Sequence, residues 1–254
     1  MRPLYHIGLD GSHGARYAIL PGDPGRVESI ARRLESPRFL AQNREYLSWL
    51  GTLDGCPVLV LSTGIGGPSA AIAAEELRMA GVDTFVRVGT CGGMAEQVTG
   101  GDLVVAQASV RMEGTSREYV DLEYPAVADW TVTSALLEAA RETGAKTHIG
   151  VVQSKDSFYG QHSPERMPAG ERLQSKWEQW IKAGCLASEM ESAALFITAA
   201  VLRARAGCIL SVCWNQERKR RGLSDPQCLD TGLAIDAAVG AIRRLIRLDD
   251  GSHL

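Results

Sequence analysis

The chain has 254 residues, of which 45% are hydrophobic and 22% charged, proportions that suit one globular domain spanning 1–254 around a large core. A net charge of −3 excludes broad electrostatic attraction to nucleic acid or to an anionic membrane surface, so any anion must be bound locally. There is no apolar run of about 18 residues and no apolar signal-peptide core in the first ten, so no membrane partner and a cytoplasmic location are expected.

Short runs rich in Val, Ile and Leu predict strands over 17–20, 58–62, 84–88, 103–106, 148–153 and 207–214. Segments of helical period predict helices over 24–34, 68–79, 130–143, 172–183, 191–204 and 230–248. In the last of these, Leu233, Ala237, Ala241, Leu245 and Leu248 make an apolar stripe. Alternating strands and helices imply an α/β fold with a parallel or mixed sheet, whose sites lie at the carboxyl ends of strands. The six cysteines form no C-x-x-C pair and do not group with the five histidines, so free thiols are expected rather than a structural zinc site.

Three glycine-bearing turns follow strands: Pro21-Gly22-Asp23-Pro24-Gly25-Arg26, Thr63-Gly64-Ile65-Gly66-Gly67-Pro68-Ser69 and Gly89-Thr90-Cys91-Gly92-Gly93. Asp23 can cap a helix that Pro24 opens. Glycine lets the backbone approach a ligand closely, although a tight turn alone also favours it. Arg87 stands inside the apolar run Phe85-Val86-Arg87-Val88, where a charge is costly unless paired or bound to a ligand. A guanidinium grips two oxygens of one phosphate, and Arg26 and Arg87 beside glycine turns point to such an anion.

These segments, with Phe158-Tyr159 and Glu189-Met190-Glu191-Ser192, occur in an order that resembles the nucleoside phosphorylase family, its uridine phosphorylase branch in particular. The resemblance runs from about His6 to Leu248. It implies a three-layer α/β/α domain around a central mixed sheet with barrel character, assembled as a hexamer, a trimer of dimers with sites shared between subunits. It implies a phosphate site of Gly22, Arg26, Arg87 and Thr90, with Arg44 reaching in from a neighbouring subunit. Met190 and Glu191 would hold ribose, and His6 of the neighbour would meet its 5′-hydroxyl. The substrates implied are uridine or uracil, with phosphate or ribose 1-phosphate. No cofactor is required, phosphate being the co-substrate. A potassium ion is implied at Glu45, Ile65 and Ser69.

The match loosens at the base. The branch reads uracil with a glutamine and, two residues on, an arginine; here Gln161 is followed at that place by Ser163, with Arg166 beyond Pro164. A uracil leaving group carries negative charge as its bond breaks, so a donor is needed at its carbonyl oxygens. Lys155, at the end of the 148–153 strand, Gln161 and His162 are expected to share that role, and Phe158 to stack on the base. Purine-specific relatives carry an aspartate after the strand matching 207–214; Asn215 stands here, which favours a pyrimidine. The run Arg218-Lys219-Arg220-Arg221 is expected in a solvated, mobile flap rather than on a nucleic acid.

The expected chemistry is phosphorolysis, in which phosphate attacks the anomeric carbon as the base departs, with Arg87, Thr90 and Lys155 as catalytic groups. A hydrolytic nucleosidase of the same fold would need a water-activating acid in place of the arginines. A purine nucleoside phosphorylase is the other rival within the fold. A dinucleotide-dependent dehydrogenase would need G-x-G-x-x-G, which Gly64-Ile65-Gly66-Gly67 does not complete because Ser69 holds the third position. A non-catalytic nucleoside-binding module is a further alternative.

Overall fold

The computed structural model describes residues 2–251. Its strands are β1 (Tyr17–Pro21), β2 (Glu35–Asn43), β3 (Tyr46–Leu53), β4 (Cys56–Leu61) and β5 (Thr84–Gly93). They continue as β6 (Leu103–Met112), β7 (Ala126–Val127), β8 (Thr147–Lys155), β9 (Ala187–Glu189) and β10 (Arg205–Asn215). The helices are α1 (Val27–Ala31), α2 (Gly67–Met79), α3 (Trp130–Glu142) and α4 (Phe158–His162). After them come α5 (Gly170–Lys182), α6 (Ser192–Val201), α7 (Gln216–Arg220) and α8 (Gly232–Asp249).

All ten strands form one mixed sheet. β5 pairs with β10, β10 with β6, β6 with β8, β8 with β9, and β9 with β5 again, closing a small barrel. From β5 the sheet runs outward through β1, β4, β3 and β2. Successive residues of each inner strand face opposite layers. Ala18, Leu20, Phe85 and Leu210 pack with α2 and α6, whereas Tyr17, Ile19, Val86 and Ile209 pack with α1, α3 and α8. Because both faces are covered, the inner strands are continuously apolar, which is why they were legible as strands. The architecture is the expected α/β/α one.

The topology also opens a site. β1 pairs with β5 only as far as Val88, and β9 takes up the same edge from Gly92. Gly89, Thr90 and Cys91 sit in the gap between them. Such a divergence of neighbouring strands at their carboxyl ends is where open α/β sheets bind ligands.

Several expectations need correction. The helix expected over 24–34 is a single 3₁₀ turn, Pro24–Arg26, followed by the short α1. Asp23 does cap that turn, accepting from the Gly25 amide at 2.8 Å. β2, β3, β7 and β9 were not expected; β2 is mostly exposed along its length and lacks an apolar signature. In α8 the stripe buries Ala237, Ala241 and Leu245, but Leu233 and Leu248 at its ends stay exposed. The basic run, on α7 and the residue after it, is solvent-exposed from Lys219 on, as expected. Arg218 donates to the Ser224 and Glu96 carbonyls, Arg220 pairs with Glu217 at 3.0 Å, and Arg221 with Glu96 at 2.6 Å.

Candidate active site

A cavity of about 560 Å³ opens at the gap beside β5. Gly22, Arg26, Arg87 and Thr90 line one end of it, Lys155, Phe158 and His162 the other, and Met190 and Glu191 the wall between. A second chamber of about 430 Å³ adjoins it, lined by Gln153, Gln161, Trp177, Gln216 and Arg220. Lys155 and His162 line both chambers and stand at their junction.

Arg87 is 4% exposed on a central strand and can be held there only by charge. Its Nη2 donates to Glu191 Oε2, and its Nε lies 3.6 Å from Glu189 Oε2. Burial works against its charge, but Glu191 and Glu189 outweigh burial and raise its pKa. The Glu191 carboxylate also accepts from the Gly66 amide at 2.7 Å. Gly66 has φ 97°, a backbone setting that favours glycine and that aims this N–H at the carboxylate. Burial, despite Arg87, moves the Glu191 pKa upward.

Glu189 is spent on structure. It accepts from the amides of Glu191 and Ser192 at the start of α6 and from the hydroxyls of Ser154 and Ser192. This is helix capping by an anion at the positive end of the dipole. Glu189 and Glu191 both border the cavity, and Glu191, held by Arg87 and the Gly66 amide, carries fewer bonds to its own backbone.

The two arginines have donors left over. Arg87 Nε and Nη1 and Arg26 Nη1 are buried without hydrogen-bond partners. Burial first, and then the Arg87 charge, lowers the Arg26 pKa. A Cβ at Gly22 would sit 3.1 Å from the Gly64 carbonyl and 3.9 Å from the Arg87 guanidinium, so glycine keeps this approach open. A buried and a half-buried cation, each with an unspent N–H group on one cavity, have the donors that an anion could accept from. Thr90 and Cys213 line the same cavity beside them.

At the other end the polar groups are knotted together. Lys155 Nζ donates to Ser188 Oγ at 2.7 Å, and Ser188 Oγ lies 2.7 Å from Gln153 Oε1 and 2.9 Å from Gln161 Oε1. Burial pushes the Lys155 pKa down to about 8, despite Glu189 and Glu191. Burial and then the Lys155 charge also lower the pKa of His162, whose ring lies 4.2 Å from that of Phe158. Arg166 lines neither chamber; its guanidinium rests over the Tyr159 ring at 5.7 Å. Asn215 is fully buried, capping α7 and donating to the Ala95 and Val98 carbonyls, so its amide is unavailable to any base.

The remaining sequence candidates, Ile65 excepted, lie outside this cavity. His6 Nδ1 meets Glu76 at 2.6 Å, Asn43 donates to the His6 carbonyl, and Arg44 lies over the Tyr5 ring. Neither His6 nor Arg44 lines this cavity. Glu45 Oε1 and Ser69 Oγ are 3.1 Å apart against Gly64, next to Ile65, which lines the cavity and is 78% exposed. Sequence reasoning missed Ser188 and Gln153. Gln153 was within reach, because it shares a face of β8 with Lys155 two residues on; Ser188, a small polar residue before the Glu189 motif, gave no signal.

The comparison with known families decides what this arrangement is. The model for the phosphorylase superfamily matches residues 16–230. The chain belongs to that superfamily. It is 52% identical over 245 residues to a uridine phosphorylase of Treponema pallidum, covering 96% of this chain and 95% of the relative. It is 42% identical over 248 residues to a uridine phosphorylase of Klebsiella aerogenes, covering 96% and 98%. A guanosine phosphorylase of Halorubrum lacusprofundi is 43% identical over 210 residues, 83% of each chain.

Proposed function

We propose that the protein catalyses the reversible phosphorolysis of uridine to uracil and ribose 1-phosphate, a pentosyl transfer of pyrimidine nucleoside salvage. The observation that carries this reading is the pair of guanidinium groups, Arg87 buried and Arg26 half-buried, whose Nη1 atoms are both buried without a hydrogen-bond partner. A hydrolase would leave those donors unsatisfied, and neither glutamate is free to activate water. Glu189 is consumed by the α6 cap and Glu191 by Arg87 and Gly66.

In this reading phosphate lies against Arg26, Arg87, Thr90 and the Gly22 backbone, and the ribose diol against Glu191 and Met190. The base stacks on Phe158 and points its carbonyl oxygens at Lys155, Gln161 and His162. The C1′–N1 bond breaks with its electron pair passing to uracil, and a phosphate oxygen forms the new bond to C1′ from the opposite face. Holding the dianion beside a carbon of oxocarbenium character supplies proximity and electrostatic stabilisation. The Lys155 ammonium meets the charge developing on the leaving base.

His6 and Arg44 complete the site of a second copy in this reading. Ile65, exposed at the cavity mouth, is the kind of apolar residue such a copy covers. The assembly proposed is a hexamer built from such dimers. Glu45, Ser69 and the Ile65 backbone offer hard oxygen donors suited to potassium, too few in one chain for a full shell and sufficient as half of a shared one.

A second reading, phosphorolysis of a 6-oxopurine nucleoside, is favoured by the adjoining chamber of about 430 Å³, which leaves room past a pyrimidine. Uridine, inosine and guanosine offered separately with phosphate and followed by ³¹P NMR discriminate the two. A ribose 1-phosphate signal from uridine, with little from the purines, supports the first. A stronger signal from guanosine selects the second, and none from any of them removes both.

A further inference from the structure

Ser188 lies in β9 opposite Gln153 on one side and Gly92 on the other, so its backbone is fixed by pairing on both edges. It is 3% exposed, and its hydroxyl meets three side chains at once. Lys155 Nζ at 2.7 Å is a pure donor and takes a lone pair of the oxygen. Gln153 Oε1 at 2.7 Å and Gln161 Oε1 at 2.9 Å are both acceptors, yet the hydroxyl has one proton to give. Gln153 is anchored separately, its Nε2 donating to Met112 Sδ at 3.0 Å. Gln161 is not: among the described residues its side chain bonds to Ser188 alone, and it rides on the five-residue α4.

We propose that Ser188 is a positioning residue of the base site, accepting from Lys155 and donating to Gln161 so that Gln161 Nε2 and Lys155 Nζ face the base as a pair. With Oε1 turned back to Ser188, the exposed end of the Gln161 amide is its donor end. Two donors side by side suit a base edge that carries carbonyl oxygens and whose charge grows as the glycosidic bond breaks. Without the hydroxyl the Gln161 amide rotates freely and Lys155 loses the oxygen that fixes its ammonium. The inference rests on the uridine reading above.

The test is a double-mutant cycle on Ser188→Ala and Gln161→Ala, with uridine and phosphate varied separately. Ser188→Ala alone is expected to lower kcat/KM for uridine roughly tenfold to hundredfold and to leave the KM for phosphate within about twofold. In the Gln161→Ala background the same change is expected to cost at least about threefold less than in the unsubstituted protein, because only its hold on Lys155 remains to be lost. Fully additive losses, an unchanged uridine kcat/KM in Ser188→Ala, or a phosphate KM that rises in step with that for uridine would each overturn the proposal. The unsubstituted protein runs alongside. If it turns uridine over, failure of the cycle removes only the role of Ser188; if it leaves uridine intact, the uridine reading falls and this inference with it.

Discussion

The two ends of the cavity are built on opposite principles. In the proposed reading, the anion end holds Arg26 and Arg87, some of whose buried N–H groups make no hydrogen bond within the chain. The base end holds Lys155, Ser188, Gln153 and Gln161 in mutual hydrogen bonds, so its side chains are positioned before a ligand arrives. Unsatisfied buried donors supply affinity, because a bound anion recovers what burial took from them. A pre-positioned set of donors supplies selectivity, because a base lacking the matching acceptors leaves them unpaired. Substitutions at the anion end are therefore expected to cost more, and to report on phosphate, while those at the base end report on the nucleoside.

The largest effect is expected at Arg87, where function and folding coincide. Arg87→Ala removes the anion contact and strands Glu191 and Glu189 in the interior, at a cost of about 3–5 kcal/mol in stability and roughly 10²–10³-fold in kcat. Thermal unfolding and steady-state kinetics read the two separately. Arg26→Ala comes next and separates them. Burial and Arg87 both oppose its charge, so stability is expected to hold or rise, while kcat/KM for phosphate falls roughly 10²-fold. A drop in both quantities at Arg26 would mean that the two arginines are not divided in this way.

At the base end, Lys155→Met is expected to lower uridine turnover roughly 10–10²-fold with phosphate KM little changed. The groups facing Lys155 are Glu189 and Glu191, the Cys91 thiol and the His162 ring. Turnover by the unsubstituted protein is expected to fall as pH rises through about 8 and the ammonium is lost, a limb absent from the variant. The stability sign is the reverse. Between about 8 and the ordinary lysine value of 10.5 the unfolded chain binds the extra proton, so Lys155 makes the fold less stable below that window and the handicap fades across it as pH rises. Lys155→Met is accordingly expected to raise Tm at pH 7, and the gain to shrink toward pH 10. The smallest effect is expected at Arg166, which rests on Tyr159 outside both chambers. Arg166→Ala should change uridine kcat/KM by less than about twofold, and a larger loss would bring it back into the base site.

The contrast also explains what could be read without a structure. A charge inside an apolar strand is conspicuous, so Arg87 announced itself, and the glycine turns carried Gly22, Arg26 and Thr90 with it. The inner strands were legible because both their faces are buried. β2 was not, since an exposed edge strand obeys no apolar pattern, and three-residue β9 is defined by its neighbours rather than by its own residues. Ser188 went unnoticed for the same reason: its importance lies in three side chains drawn from β8 and α4, a convergence that tertiary structure alone creates. Asn215 was legible only as the absence of an acid; that its amide is occupied by the backbone of α7 and by the chain around Ala95 is a tertiary fact.

The most direct test of the division between an anion end and a base end is uracil release from uridine, followed by absorbance while phosphate is varied from zero to saturation. Release that requires phosphate and saturates with it, with Arg26→Ala shifting that saturation to higher phosphate, is the expected result. Release at full rate without phosphate would contradict it, and would make the unpartnered donors of Arg26 and Arg87 something other than a receptor for the attacking anion.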